Sequence, residues 1–279
     1  MENYHLKNMV VTDLDGTLLQ SNKKISNTDL HTLRFLGEKN ILRVIATGRS
    51  LFSAQNVLPD DFPIDCLVFS SGAGIVEWPT KCMVKKHAMT VDEVKKTVRA
   101  LMDLGADFMI HEPIPNNHFF VYYHTGRLNP DFLHRCEMYK EFANRQDFKD
   151  YKFHEACQVL AIEPYGNGKS DFTYFKELLS PLKVIQTTSP FDGRSTWIEI
   201  FPSGVSKALA AEWVGKRHGI NRKGVLGVGN DYNDLDLLAW VQSGILVGNA
   251  PEELKRKFQT VSSNNENGFT EAVNNWLRY

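Results

Sequence analysis

A chain of 279 residues, 42% apolar and 23% charged, can bury one large or two ordinary cores, which excludes a disordered tail or a stapled miniprotein. Its 32 basic and 33 acidic side chains nearly cancel, so no global field draws it to nucleic acid or anionic membrane. The four cysteines lack a C-x-x-C spacing and no apolar run reaches the roughly 18 residues of a bilayer span, which argues against a disulfide framework, a structural zinc site and a membrane anchor.

The elements follow in chain order. Met9–Thr12 is a short, β-branched apolar run that reads as a buried strand. Leu30, Leu33 and Leu36 then recur at helical spacing, with Ser26 or Asn27 as the cap and Gly37 near the other end. The segments ILRVIATGRS and IDCLVFSSGAGI are further apolar strands, each running into a Gly-containing turn. Strands alternating with helices in this way build a parallel sheet covered on both faces. After Trp78 the texture changes. A strand or loop leads into a helix through Val91, Val94, Val98 and Leu101, and the aromatic run HFFVYYHTG and CQVLAIEP read as strands. Residues 166–170, GNGKS, read as a turn rather than a phosphate loop, because the full G-x-x-x-x-G-K-[ST] spacing is missing. A short helix and two strands joined by a Gly-containing turn close this part, an α+β unit with an open-faced antiparallel sheet. Beyond Pro202 the first texture returns, with helices in VSKALAAEWVGKRHGI, NDLDLLAWV and GFTEAVNNWL and strands in GVLGVGND and GILVGNA. The fold expected is α/β, a doubly wound parallel-sheet core built from 1–81 and 183–279 with an α+β domain inserted at 82–182.

Carboxylates and their distant companions carry the chemistry. Asp13 and Asp15 follow a strand, on the edge where open parallel sheets bind ligands. Two like charges so close need a proton or a cation between them, and a hard divalent ion such as Mg²⁺ removes the cost. With such an ion held, one carboxylate can attack phosphorus and the other can move a proton. The same letters also suit a simple Asp-Gly turn. After the next strand, Thr47 and Gly48 offer a hydroxyl and an N–H to a phosphate oxygen, and Arg49 offers a fork of donors to an anionic substrate or, alternatively, a helix cap. Lys207, one turn into a helix, fits an N-terminal dipole poorly unless an anion is near; otherwise it is a solvated lysine. Asn230, Asp231, Asn233 and Asp234 crowd a polar turn that serves either a metal or a helix cap.

Taken together, DLDGT, ATGR, GVSK and GNDYND, in that order and interrupted by a domain-sized insertion, resemble the four motifs of haloacid dehalogenase-like hydrolases, specifically the Cof-like phosphatases with a large cap. The segments SSGAGI, VGNAPEELK and NGFTEAV extend the similarity. The resemblance implies a Rossmann-like core of haloacid dehalogenase type and a Mg²⁺-dependent phosphatase acting on small phosphate monoesters, with sugar phosphates leading. It implies that Asp13 is the nucleophile forming an aspartyl phosphate and that Asp15 is the acid and base. Thr47 and Lys207 would hold the phosphoryl group. Gly48, Arg49, Ser71, Gly72 and Asn233 are the matching candidates for substrate or phosphate contact. Asp13, Asp15, Asn230, Asp231 and Asp234 are the candidates for the metal. One position departs from the pattern G-D-x-x-N-D: Asn230 replaces its first aspartate and supplies an oxygen without a charge. Two other functions fit the same letters, a phosphomutase and a regulatory protein that binds a phosphate ligand with little turnover. With no export segment ahead of Val10 a cytoplasmic location is expected, and the partner is a small phosphate ester, with no nucleic acid, membrane or obligate protein implied.

Overall fold

The computed structural model describes residues 8–149, 151–166 and 172–278. The first segment gives β1 (Met9–Thr12), α1 (Asn27–Glu38), β2 (Leu42–Ala46), α2 (Leu51–Gln55), β3 (Cys66–Phe69), β4 (Gly74–Glu77) and β5 (Cys82–Lys86). The middle gives α3 (Val91–Asp103), β6 (Phe108–His111), β7 (Phe120–Tyr123), α4 (Pro130–Met138), β8 (Ala143–Arg145), β9 (Gln158–Glu163), α5 (Phe172–Leu178), β10 (Lys183–Thr188) and β11 (Thr196–Phe201). The last segment gives α6 (Lys207–Arg217), β12 (Val225–Gly229), α7 (Leu235–Trp240), β13 (Ser243–Leu246), α8 (Glu252–Lys255), β14 (Gln259–Thr260) and α9 (Gly268–Leu277). Among the described residues no helix is long and apolar enough to cross a membrane.

Two compact units result, one made of the residues up to Lys86 and those from Ser206, the other of His87–Val205. The first holds an eight-stranded sheet in the order β14-β13-β12-β1-β2-β3-β4-β5. Its strands from β14 through β3 run parallel, while β4 and β5 are antiparallel additions at one edge. These two edge strands extend the expected parallel-sheet core, and backbone geometry turns the chain into them: Ser70, Ser71 and Gly72 all have positive φ, so the chain doubles back after β3. Met9, Val11, Val44 and Val68 face Ala210, Ala211 and Val214 of α6 in one buried layer. Ser26 is the cap of α1, its side chain accepting from the Asp29 N–H, and Leu33 and Leu36 of the expected apolar stripe are buried while Leu30 is half-buried.

The second unit has a six-stranded sheet, β10-β11-β9-β6-β7-β8. Every pair is antiparallel except β7–β8. One face packs Val94, Val98 and Leu101 of α3 and Phe175 of α5 against Val159, Ala161 and Ile198. The other face is not open as expected, because Phe132 and Cys136 of α4 cover Met109, Phe120 and Leu160. Side chains alternate along β7: Phe120 and Tyr122 meet the α4 layer, and Val121 and Tyr123 meet the α3 layer. The division into units differs from the expected insertion at 82–182 at both junctions. Pairing with β4 draws β5 into the first sheet, and pairing with β9 draws β11, and through it β10, into the second. Of the expected turn at 166–170, everything past Gly166 lies outside the described residues.

Candidate active site

The parallel core decides what can meet. Thr12 at the end of β1 pairs with Val228 of β12 on one side and Ile45 of β2 on the other, so the residues that follow the three strands emerge at one sheet edge. The Asp13 N–H donates to the Val228 carbonyl at 2.9 Å, and the Thr47 N–H to the Val68 carbonyl at 2.9 Å, each prolonging a ladder by one residue. Strand order reverses about β1, since β2 and β3 extend the sheet one way and β12 and β13 the other. Asp13 therefore stands at the topological switch point, where such sheets take ligands.

Lys207 completes the inner group. It opens α6 behind the Ser206 cap, whose Oγ accepts from the Leu209 N–H at 3.1 Å. Its Nζ lies 2.6 Å from Asp13 Oδ1 and 2.6 Å from Asp234 Oδ1, and the side chain is fully buried. Burial would lower the Lys207 pKa, but the two carboxylates overcome it and keep the ammonium charged. Burial pushes the Asp13 carboxyl up, to about 7, against the pull of Lys207 and with a further push from Asp234. One ammonium serves two carboxylates, so neither is fully compensated. The second Asp234 oxygen accepts from the backbone N–H of Asn230 at 2.8 Å and of Asp231 at 3.2 Å. Both Asp234 oxygens thus have protein partners, Lys207 on one side and its own turn on the other.

Asp15 points elsewhere. Arg49 grips it with a fork, Nε to Oδ2 at 2.6 Å and Nη2 to Oδ1 at 2.7 Å, and Lys23 Nζ stands 3.4 Å from Oδ1. Burial would raise the Asp15 carboxyl, but the Arg49 hydrogen bonds and the charges of Arg49 and Lys23 hold it below the usual carboxylate range. Arg49, expected at a substrate, rests on the expected acid instead. Thr47 is buried, and its Oγ1 accepts from the Arg49 N–H at 3.1 Å, which ties the β2 turn to the same edge.

Gly72, a candidate for phosphate contact, also has a packing role. It has φ +107°, and a Cβ there would lie 2.4 Å from the Ser206 carbonyl oxygen. Its work is close approach of the β3 turn to the start of α6, which carries Lys207; Ser71 beside it is fully buried. Gly48 and Asn233 are half-buried in their turns, and Asn233 makes no side-chain hydrogen bond to the Asp13 group among the described residues. Three side chains near the edge went unassigned in the sequence: Thr17, Lys23 and Asn249. Thr17 Oγ1 lies 3.0 Å from the Asn230 amide, and Asn249 Nδ2 donates to the Gly16 carbonyl at 2.8 Å. Thr17 and Asn249 belong to motifs already recognised, whereas nothing around Lys23 marks it.

Among the described residues no group of three or more His, Cys, Asp or Glu side chains is gathered as a metal site. The atoms that do converge are a carboxylate oxygen of Asp13, the main-chain oxygen of Asp15 and one end of the Asn230 amide. A terminal atom of the Asn230 side chain lies 3.3 Å from Asp13 Oδ2 and 3.1 Å from the Asp15 carbonyl oxygen. Adjacent ligands of an octahedral Mg²⁺ stand about 3 Å apart, so this corner fits a small hard cation.

A family model described as haloacid dehalogenase-like hydrolase matches residues 10–273. The 5-amino-6-(5-phospho-D-ribitylamino)uracil phosphatase YitU of Bacillus subtilis is 24% identical over 266 residues, covering 93% of this chain and 94% of that protein. BT1666 of Bacteroides thetaiotaomicron, one of the haloalkanoate-superfamily phosphatases, superposes with a TM-score of 0.76 at 19% identity, over 100% of this chain and 98% of its own. The subclass IIB sugar phosphatase BT4131 gives 0.75 at 17% identity, over 98% of this chain and 100% of its own. These two superpositions speak for the fold.

Proposed function

The chain belongs to the haloacid dehalogenase-like hydrolase family, and from that premise we propose that Asp13 is the nucleophile of a Mg²⁺-dependent phosphatase for small phosphate monoesters. The enzyme is a phosphoric monoester hydrolase by family. The observation that carries the assignment of residues is the buried Lys207, held 2.6 Å from Asp13 Oδ1 and 2.6 Å from Asp234 Oδ1. With both carboxylates ionised, this trio is one charge negative. A phosphoryl group arriving beside it needs further positive charge, and a buried trio cannot borrow it from water. Held by Asp13 Oδ2, the Asp15 carbonyl and Asn230, Mg²⁺ would neutralise charge on a phosphoryl oxygen.

The chain's own groups then account for the reaction. An Asp13 oxygen attacks phosphorus in line as the bond from phosphorus to the ester oxygen breaks, giving an aspartyl phosphate and an alcohol. Asp15, two residues on, delivers a proton to the departing oxygen. It takes one back from the water that attacks phosphorus in the second step, which releases phosphate and restores Asp13. For the first transfer Asp15 must be protonated, and an anionic substrate that draws the Arg49 fork away lets its carboxyl take up a proton. Lys207 and Thr47 hold the equatorial oxygens, Lys207 from its place on Asp13 and Thr47 through its hydroxyl.

Sugar phosphates and other phosphorylated polyhydroxy chains are the leading substrates, and the cytoplasm the site of action. Support comes from the names of two relatives, one a sugar phosphatase and one acting on a phosphoribityl compound. The test is phosphate release from a panel of such esters with Mg²⁺ present. Asp13→Asn, checked for folding by circular dichroism, is expected to lose at least a thousandfold in turnover, roughly 4 kcal/mol of barrier. Turnover surviving in Asp13→Asn would remove the nucleophile assignment. Free phosphate rather than an isomerised ester as the product separates hydrolysis from a mutase.

A further inference from the structure

The Asn230 side chain has two orientations, which differ in which of its atoms faces the carboxylates, and protein groups satisfy both ends of the amide only when its nitrogen faces inward. One terminal atom lies 3.0 Å from Thr17 Oγ1, 3.3 Å from Asp13 Oδ2 and 3.1 Å from the Asp15 carbonyl oxygen. With nitrogen in that place, the NH₂ donates to Asp13 and to the Asp15 carbonyl, and the Thr17 hydroxyl accepts. With oxygen in that place, three oxygens of Asp13, Asp15 and Asn230 face one another, and Thr17 donates to Asn230 Oδ1. Nothing among those three groups can hold them together in the second arrangement except a cation. The hydroxyl of Thr17 suits both, because it rotates between donor and acceptor. Gly16 leaves room for the turnover, since a Cβ there would lie 2.6 Å from the outer atom of the Asn230 amide.

We propose that Asn230 is a cation-coupled amide switch, donating its NH₂ to Asp13 and Asp15 without the ion and turning its oxygen inward as a ligand when a Mg²⁺-sized cation enters. The inference rests on the cation site of the proposed phosphatase but not on which residue is the nucleophile. It gives the departure from an acidic residue at this position a physical purpose. A carboxylate here would face Asp13 Oδ2 and a carbonyl with no proton to offer, so the metal-free edge would be repulsive. The amide keeps that edge closed and makes the ion compete with a hydrogen-bonded state, at the cost of weaker binding.

The test uses the full chain and Mg²⁺ alone, without phosphate. In ¹⁵N-labelled protein the Asn230 side-chain NH₂ resonances, assigned by their absence in Asn230→Asp, should move on titration with Mg²⁺ as their two acceptors are lost. By calorimetry Asn230→Asp should bind Mg²⁺ about tenfold more tightly than the parent, because a full charge joins the ligand set. Its Tm in EDTA should be lower, and its rise on adding Mg²⁺ larger. Mg²⁺ uptake with the Asn230 resonances unmoved overturns the switch while leaving the cation site standing. An Asn230→Asp protein with parental Tm and parental Mg²⁺ affinity overturns it as well. No Mg²⁺ uptake by either protein removes both the switch and the cation from the proposed mechanism. The resonance measurement is made on the unsubstituted chain, so it decides the matter even where Asn230→Asp fails to fold in EDTA.

Discussion

Lys207 is one ammonium placed between two buried carboxylates, and the charge balance of the site turns on it. Asp13 and Asp234 each lie 2.6 Å from its Nζ, and Asp234 is wholly buried. Lys207→Met would leave two uncompensated charges in a dry place, and breaking a buried pair in this way costs about 3–5 kcal/mol. Urea unfolding should report that loss, and phosphate release should fall with it. Adding Asp234→Asn to Lys207→Met removes one of the stranded charges, so the double variant should unfold at higher urea than the single one. It should not regain activity. If the double variant is no more stable than Lys207→Met, the stranded-charge account fails. At this scale much was readable in advance: a lysine in the first turn of a helix signals a nearby anion, and GVSK supplied the motif. What went unread was the division of labour among acidic residues. Asp234 touches Lys207, and Arg49 holds Asp15; both contacts depend on where side chains end and not on where they begin in the chain.

Elements place these residues through their ends. The start of α6 is pressed against the turn after β3, and Gly72 makes the approach possible with φ +107° and no Cβ to meet the Ser206 carbonyl. Gly72→Ala combines a forbidden contact with backbone strain, so a loss of about 2 kcal/mol or more is expected from thermal unfolding. Turnover should fall further than stability alone explains, because Ser206 and Lys207 shift together; a Gly72→Ala enzyme with unchanged kcat would place the turn outside the site's support. In the second unit, Asp107 before β6 is fully buried and collects Arg127 Nε at 3.0 Å, Asn129 Nδ2 at 2.9 Å and the Thr125 N–H at 2.8 Å, tying the segment between β7 and α4 to the sheet. Burial pushes the Asp107 carboxyl up, but hydrogen bonds from Thr125, Asn129 and His124 outweigh it and hold the carboxyl below its ordinary range. A depressed carboxyl stabilises the fold above its unfolded pKa of about 3.9, and that contribution drains away as pH falls through the lower folded value. Asp107→Asn should therefore cost about 3 kcal/mol near neutral pH, and its Tm should converge with the parent's in acid. A gap that stays constant down to pH 2 would mean the carboxylate charge is not what matters. The α4 helix itself had a start signal, Asn129 before Pro130, yet it fell in a stretch where no apolar period stood out.

The whole molecule is a core assembled from both ends of the chain, with a separate α+β unit formed between them. Local letters settled the kind of protein: β-branched runs ending in Asp, Thr and Gly, helices with caps and apolar stripes, and four motifs in order. Periodicity and turn chemistry act over a few residues, so they are legible wherever the pattern is clean, as in β1 and α9, whose bounds match the reading residue for residue. The junctions between units were misplaced for the opposite reason. Whether β5 joins β4, and whether β11 joins β9, is a matter of hydrogen-bond pairing between segments, which no single strand announces. The sequence by itself determined the family and the two-unit plan, and it put forward the residues proposed for phosphoryl chemistry. Only the tertiary structure decided which carboxylates Lys207 and Arg49 hold, that Gly72 packs against the start of α6, and that Asn230 meets Asp13 and Asp15 across more than two hundred residues of chain. Side-chain identity fixes what a group can donate or accept, but the free energy of a charge or an amide depends on its neighbours within a few ångströms, and those neighbours are set by folding.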